Sequence, residues 1–102
     1  MKTNTVSNTA FRGFGGPQGV IAAERIIEEI AYHRGRDTLD IRKLNFYGKG
    51  RDITPYHQTV EDNITAEIVA DLEARSDYAK RRQAVLDWNS KGGVIRKGIA
   101  LT

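Results

Sequence analysis

Apolar positions along the chain change period several times, and each change predicts an element. The polar, β-prone run at 4–12 predicts a first strand. A helix follows at 18–34, with Val20, Ala23, Ile26, Ile27, Ile30 and Ala31 on one side and Glu24, Arg25, Glu28 and Glu29 opposite. Gly35 stands where a C-terminal cap belongs, and Asp37 is placed to cap a short helix at 38–45 that buries Leu39, Ile41 and Leu44. Residues 47–56 hold Gly48, Gly50 and Pro55 and read as a loop, extended before the proline. Thr59 with Asp62 three residues on resembles a capping box opening a helix at 60–74, whose Ile64, Ile68 and Leu72 repeat every four. Ser76 is placed to cap a last helix at 77–89, with Tyr78, Val85, Leu86 and Trp88 on its apolar side. Gly92-Gly93 ends it, and 94–102 returns as a strand. The expectation is an α+β segment, mostly helical, with short terminal strands that can pair. It forms a single unit over 1–102 without internal repeats or low-complexity stretches.

The stretch Phe11-Arg12-Gly13-Phe14-Gly15-Gly16-Pro17-Gln18 adds chemistry to this outline. Glycine tolerates positive φ and close approach of a ligand to the backbone. Pro17 suits the first turn of the helix that follows. A glycine loop feeding a helix N-terminus presents free amides and a positive dipole end to anions. Two aromatics in such a loop point instead to a flat, apolar ligand. The spacing matches neither G-x-G-x-x-G, since position 18 is Gln, nor a P-loop, since Gly-Lys-Ser/Thr is absent. From spacing alone, a plain structural connector and a ligand-facing turn both stand.

Composition narrows the classes further. Without cysteine there are no disulfides, thiolate metal sites or iron–sulfur ligands in the chain. His33 and His57 are far apart and lack a metal-ligand pattern, so both read as surface or structural residues. No apolar run approaches the ~20 residues that cross a bilayer and no signal peptide is evident, so a cytoplasmic setting without membrane contact is expected. Net charge is +3, from 16 basic and 13 acidic residues, with the densest cluster at Lys80-Arg81-Arg82. Acidic residues intersperse throughout, favouring a solvated face over nucleic-acid binding. A basic helical nucleic-acid module and a scaffold without a site are the alternative readings. Hydrophobic residues make up 39%, slightly low for a self-sufficient core of this length. The uncapped 3–12 run and the apolar ending Ile99-Ala100-Leu101 predict a piece of a larger subunit, with Met1 an added start.

The run Thr3-Asn4-Thr5-Val6-Ser7-Asn8-Thr9-Ala10 leading into the glycine loop resembles the molybdopterin-binding subunit of the xanthine dehydrogenase/xanthine oxidase family. The resemblance continues in order through Glu24–Ala31, Gly35–Tyr47, Thr54–Asn63 and Lys97–Thr102, and is loose over 75–96. It covers nearly the whole chain. The loop is typical of molybdenum hydroxylases generally, and the later segments favour xanthine dehydrogenase.

That resemblance implies oxidative hydroxylation of a heteroaromatic carbon, as in xanthine and hypoxanthine, at a molybdenum ion held by molybdopterin. It further implies iron–sulfur and FAD domains or subunits as partners in the intact enzyme. The loop 11–18 would contact the cofactor and stack on the purine. Arg12 matches the position whose backbone lies near the molybdenum, Gly13 lies beside it in the cofactor-binding turn, and Phe14 matches the phenylalanine whose ring packs against the purine. The catalytic glutamate of the family matches no residue here, so no catalytic residue is assigned. The 102-residue chain by itself is expected to be inactive and to purify without molybdenum.

Overall fold

The computed structural model describes residue 4 and residues 12–101. The order is α1 (Gly16–Arg34), α2 (Thr38–Leu44), α3 (Thr65–Ser76) and α4 (Tyr78–Ser90). The strand expected at 4–12 falls almost wholly outside the described residues.

Local hydrogen bonding sets the first two helices. Gly35, at φ 61°, closes α1, its N–H donating to the carbonyls of Ala31 and Tyr32. The Asp37 carboxylate caps α2 by accepting the Leu39 N–H at 2.9 Å. Leu39 and Ile41 are buried, while Leu44 stays exposed.

The third helix departs from expectation. It starts at Thr65, five residues later than predicted, and the Thr59–Asp62 capping box does not form. Thr59 is drawn into a bridge with Ile53, the Val60 N–H donates to the Asp52 carbonyl, and Asp62 takes φ 47°, off the helical path. Asn63 replaces the box, its Oδ1 accepting the Thr65 N–H at 3.1 Å. Ser76 likewise caps nothing. α3 runs through it, and Asp77 at φ 50° ends α3 and starts α4 without a side-chain cap.

No strand forms at 94–101, against expectation. The chain there lies along α4 and takes its partners from helix side chains, so no sheet is needed to satisfy the carbonyls of Ile95, Lys97 and Ile99. Among the described residues the architecture is helical, with isolated bridges at 48–51 and 53–59.

The core is a cluster of Leu39 on α2, Val69 on α3 and Tyr78 on α4, against which Phe46, Ile99 and Leu101 pack. α3 turns Val69 inward, with Glu73 and Ser76 half-covered on the same side, whereas the Ile64–Ile68–Leu72 row is exposed. α1 covers Ala31 fully and Glu24 and Ile27 partly, leaving Val20, Ile26 and Ile30 exposed. The covered side of α1 is therefore rotated from the most apolar one.

The reason is a charge on the partner helix. Arg42 of α2 is 5% exposed and pairs with Glu24 through Nε at 2.9 Å and through Nη2. A buried guanidinium without its carboxylate is strongly unfavourable, so Glu24 faces α2.

The fold is open. Its accessible surface is 9096 Å², against roughly 5,800 Å² for a folded monomer of this length. Its radius of gyration is 17.9 Å, where about 13 Å is ordinary.

Candidate functional site

Residues 12–15 form a turn with four consecutive positive φ values: Arg12 34°, Gly13 89°, Phe14 52° and Gly15 85°. Arg12 and Phe14 are side-chain-bearing residues in a region that costs them on the order of 1 kcal/mol or more. The Gly16 N–H closes the turn on the Gly13 carbonyl at 2.8 Å, and Gly19 starts the helical ladder on Gly15 at 3.0 Å. Pro17 occupies the first turn of α1, two residues earlier in helix than the sequence predicts.

The glycines have distinct roles here. A Cβ on Gly13 would lie 2.8 Å from Pro17 Cδ, so the loop folds tightly onto the proline ring. A Cβ on Gly15 or Gly16 would meet nothing within 4 Å. Among the described residues the outer side of the turn is open, which leaves room for a ligand. Among the described residues no hydrogen bond engages the amides of Phe14, Gly15 or Gln18. These donors, at the positive end of a 19-residue helix, suit an anionic, hydrogen-bond-accepting group. The Phe14 ring is 88% exposed. It is not core, and it stands beside those amides as a flat apolar surface.

Arg12, Gly13 and Phe14 thus share one turn, with Gln18 in the first turn of α1; Phe11 lies outside the described residues. His33 and His57 join no metal-binding group of side chains among the described residues. No helix is long and apolar enough to cross a membrane.

A second cluster was legible only as a helix cap. Asp37 also receives the Tyr78 hydroxyl at 2.8 Å and Arg82 Nε at 2.9 Å, while Arg82 Nη1 reaches the Ile99 carbonyl at 3.2 Å. Partial burial opposes the charged carboxylate, but the Leu39 N–H, Tyr78 hydroxyl and Arg82 guanidinium outweigh it, and Asp37 stays below the usual carboxylate value. Burial and the facing Asp37 push Tyr78 up to about 12. Arg82 is thereby turned inward, out of the solvated Lys80-Arg81-Arg82 patch that its sequence suggested. This cluster ties α2, α4 and the C-terminal segment together; its groups are already mutually satisfied.

The molybdopterin cofactor-binding domain family matches residues 1–46. The chain is 45% identical over 100 residues to a xanthine dehydrogenase of Drosophila pseudoobscura pseudoobscura and 41% identical over 100 residues to one of Dictyostelium discoideum. It is also 38% identical over 101 residues to a nicotinate hydroxylase of Emericella nidulans. Each match covers 98% of this chain and 7% of the relative's length.

Proposed function

Because the chain belongs to the xanthine dehydrogenase family, we propose that residues 12–18 are where it meets the molybdenum–molybdopterin cofactor and the substrate of the intact enzyme. One observation carries this reading: four successive positive φ values hold Phe14 outward beside free amides. The cofactor, when bound, supplies the metal-centred oxidation that hydroxylates a heteroaromatic carbon, with iron–sulfur and FAD parts taking the electrons. The chain's own work is binding and orientation. The backbone at Arg12 and Gly13 would hold the metal end of the cofactor, and the amides of Phe14, Gly15 and Gln18 would offer hydrogen bonds to its anionic groups. Phe14 stacks on the substrate ring. Offset stacking is worth roughly 1 kcal/mol beyond burial, and its larger effect is to fix the ring's angle to the reacting centre.

A flat heteroaromatic compound is the substrate class, with a purine such as xanthine or hypoxanthine first. The names of the relatives, xanthine dehydrogenase and nicotinate hydroxylase, both denote flat heterocycles, and a phenylalanine face accepts either.

Two substitutions in the intact enzyme separate the roles. Gly13→Ala places a methyl group against Pro17 at a positive φ and is expected to lower bound molybdenum. Phe14→Ala is expected to keep molybdenum and to lower kcat/KM for xanthine by about 10- to 100-fold. Unchanged kcat/KM per molybdenum in Phe14→Ala would refute the stacking role, and full molybdenum content in Gly13→Ala would refute the cofactor role.

A further inference from the structure

The turn that carries Phe14 is of type I′. The Gly16 N–H returns to the Gly13 carbonyl at 2.8 Å, and the two residues between them have φ 52° and 85°, with ψ −5° at Gly15. Phe14 thus occupies the first central position, where glycine, asparagine and aspartate are usual and a ring-bearing residue is disfavoured. Its ring is 88% exposed, so among the described residues the backbone rather than packing sets its direction. Gly13 and Gly15 permit this backbone but do not select it, because glycine enters many other conformations as readily. Something beside the turn must select it.

Pro17 does so in two ways. Its Cδ and Cγ stand 2.8 and 3.0 Å from where a Cβ on Gly13 would lie, so the ring borders the start of the turn and limits how Gly13 can rotate. The proline also has no N–H. Any other residue at 17 could donate to the Gly13 carbonyl, four residues back, and continue α1 toward the N-terminus. Proline removes that bond, and its ring would clash with a helical carbonyl at that position. The Gly13 carbonyl is left to the Gly16 N–H, the bond that closes the turn. The missing donor costs α1 nothing, since first-turn amides have no partner within the helix.

We propose that Pro17 is a positioning residue for the substrate: by excluding a helical path through 13–16, it holds the Phe14 ring at a fixed angle to the reacting centre. This role presupposes the stacking of Phe14 on the substrate. Pro17 acts through that ring, without chemistry of its own. A ring on a loop free to join the helix would sample several angles, and misplacement by about 1 Å costs on the order of 100-fold in rate.

Kinetics of the intact enzyme with xanthine, normalised to bound molybdenum, test it through a double-mutant cycle. Pro17→Ala, which restores the N–H and removes the ring, is expected to lower kcat/KM by at least ~10-fold. In a Phe14→Ala background the same change is expected to lower it by less than about 2-fold, because no aromatic ring remains to be aimed. A Pro17→Ala variant with parental kcat/KM, or an equal loss in both backgrounds, would overturn the proposal while leaving the stacking role intact. A Phe14→Ala variant with parental kcat/KM would remove the stacking role and this one with it.

Discussion

The two sides of α1 carry opposite lessons. The side facing α2 presents Glu24, Ile27 and Ala31, is covered, and is fastened by an ion pair to a guanidinium only 5% exposed. The other side presents Val20, Ile26 and Ile30, is more apolar, and is open. Hydrophobicity alone would bury the second and wet the first. The arrangement follows instead from the charge of Arg42, whose desolvation is the costliest event in the junction and selects the face that meets it. The open side, the Ile64–Ile68–Leu72 row and the outward Phe14 all add apolar area to a surface above that of a self-contained monomer. The α2 junction is where the chain holds itself together, whereas the open faces and the Phe14 ring are exposed and the loop is where we propose that it meets cofactor and substrate.

Breaking the junction gives the largest expected effect. Glu24→Ala leaves the buried Arg42 charge without its carboxylate, and Arg42 Nη1 already has no hydrogen-bond partner. The cost is about 3–5 kcal/mol, read as a lower denaturant midpoint of the intact protein. Glu24→Gln, which keeps the acceptor oxygen, is expected to lose less. Equal tolerance of Ala at Glu24 and at exposed Glu28 would remove the ion pair from its place in the account.

The Asp37 cluster sharpens the comparison at smaller magnitude. Asp37→Ala removes the α2 cap and orphans the Tyr78 hydroxyl and Arg82, costing about 1–3 kcal/mol. Its pH dependence has two arms. The folded Asp37 lies below its ordinary 3.8, so its contribution is full above that value and lost as pH falls through the lower folded one. The folded Tyr78 lies above its ordinary 10.0, at about 12, so its contribution is full below 10 and lost as pH rises toward 12. Melting curves against pH are expected to show both arms. Asp37→Asn flattens the acid arm and Tyr78→Phe the alkaline one.

What the sequence revealed follows the range of the interactions. The Gly35 and Asp37 caps were legible because their hydrogen bonds span a few residues, and the turn because Gly13 and Gly15 mark two of its four positive-φ positions; that Arg12 and Phe14 share that region was not legible. The start of α3 was not, since Thr59 could cap a helix or bridge to Ile53, and the choice depends on a loop six residues away. The C-terminal strand failed for a related reason: its residues favour extended backbone, but α4 supplies side-chain partners where a neighbouring strand was expected. Glu24 was assigned to the solvent side because nothing local shows that an arginine 18 residues later will be buried against it. The Ile64–Ile68–Leu72 repeat was read correctly as a row, but Val69, about 100° around the helix, is the residue that meets Leu39 and Tyr78.

The most direct test of the division between a holding core and a meeting loop sets Phe14→Ala beside Leu39→Ala in the intact enzyme. Leu39 is 2% exposed, and its truncation is expected to cost about 2–5 kcal/mol while leaving kcat/KM per folded, molybdenum-loaded molecule near that of the parent. Phe14→Ala is expected to move stability by less than about 0.5 kcal/mol and to lower kcat/KM for the heteroaromatic substrate. A Phe14 variant that melts far below the parent with unchanged kinetics per molybdenum would contradict the account, because the ring would then be core.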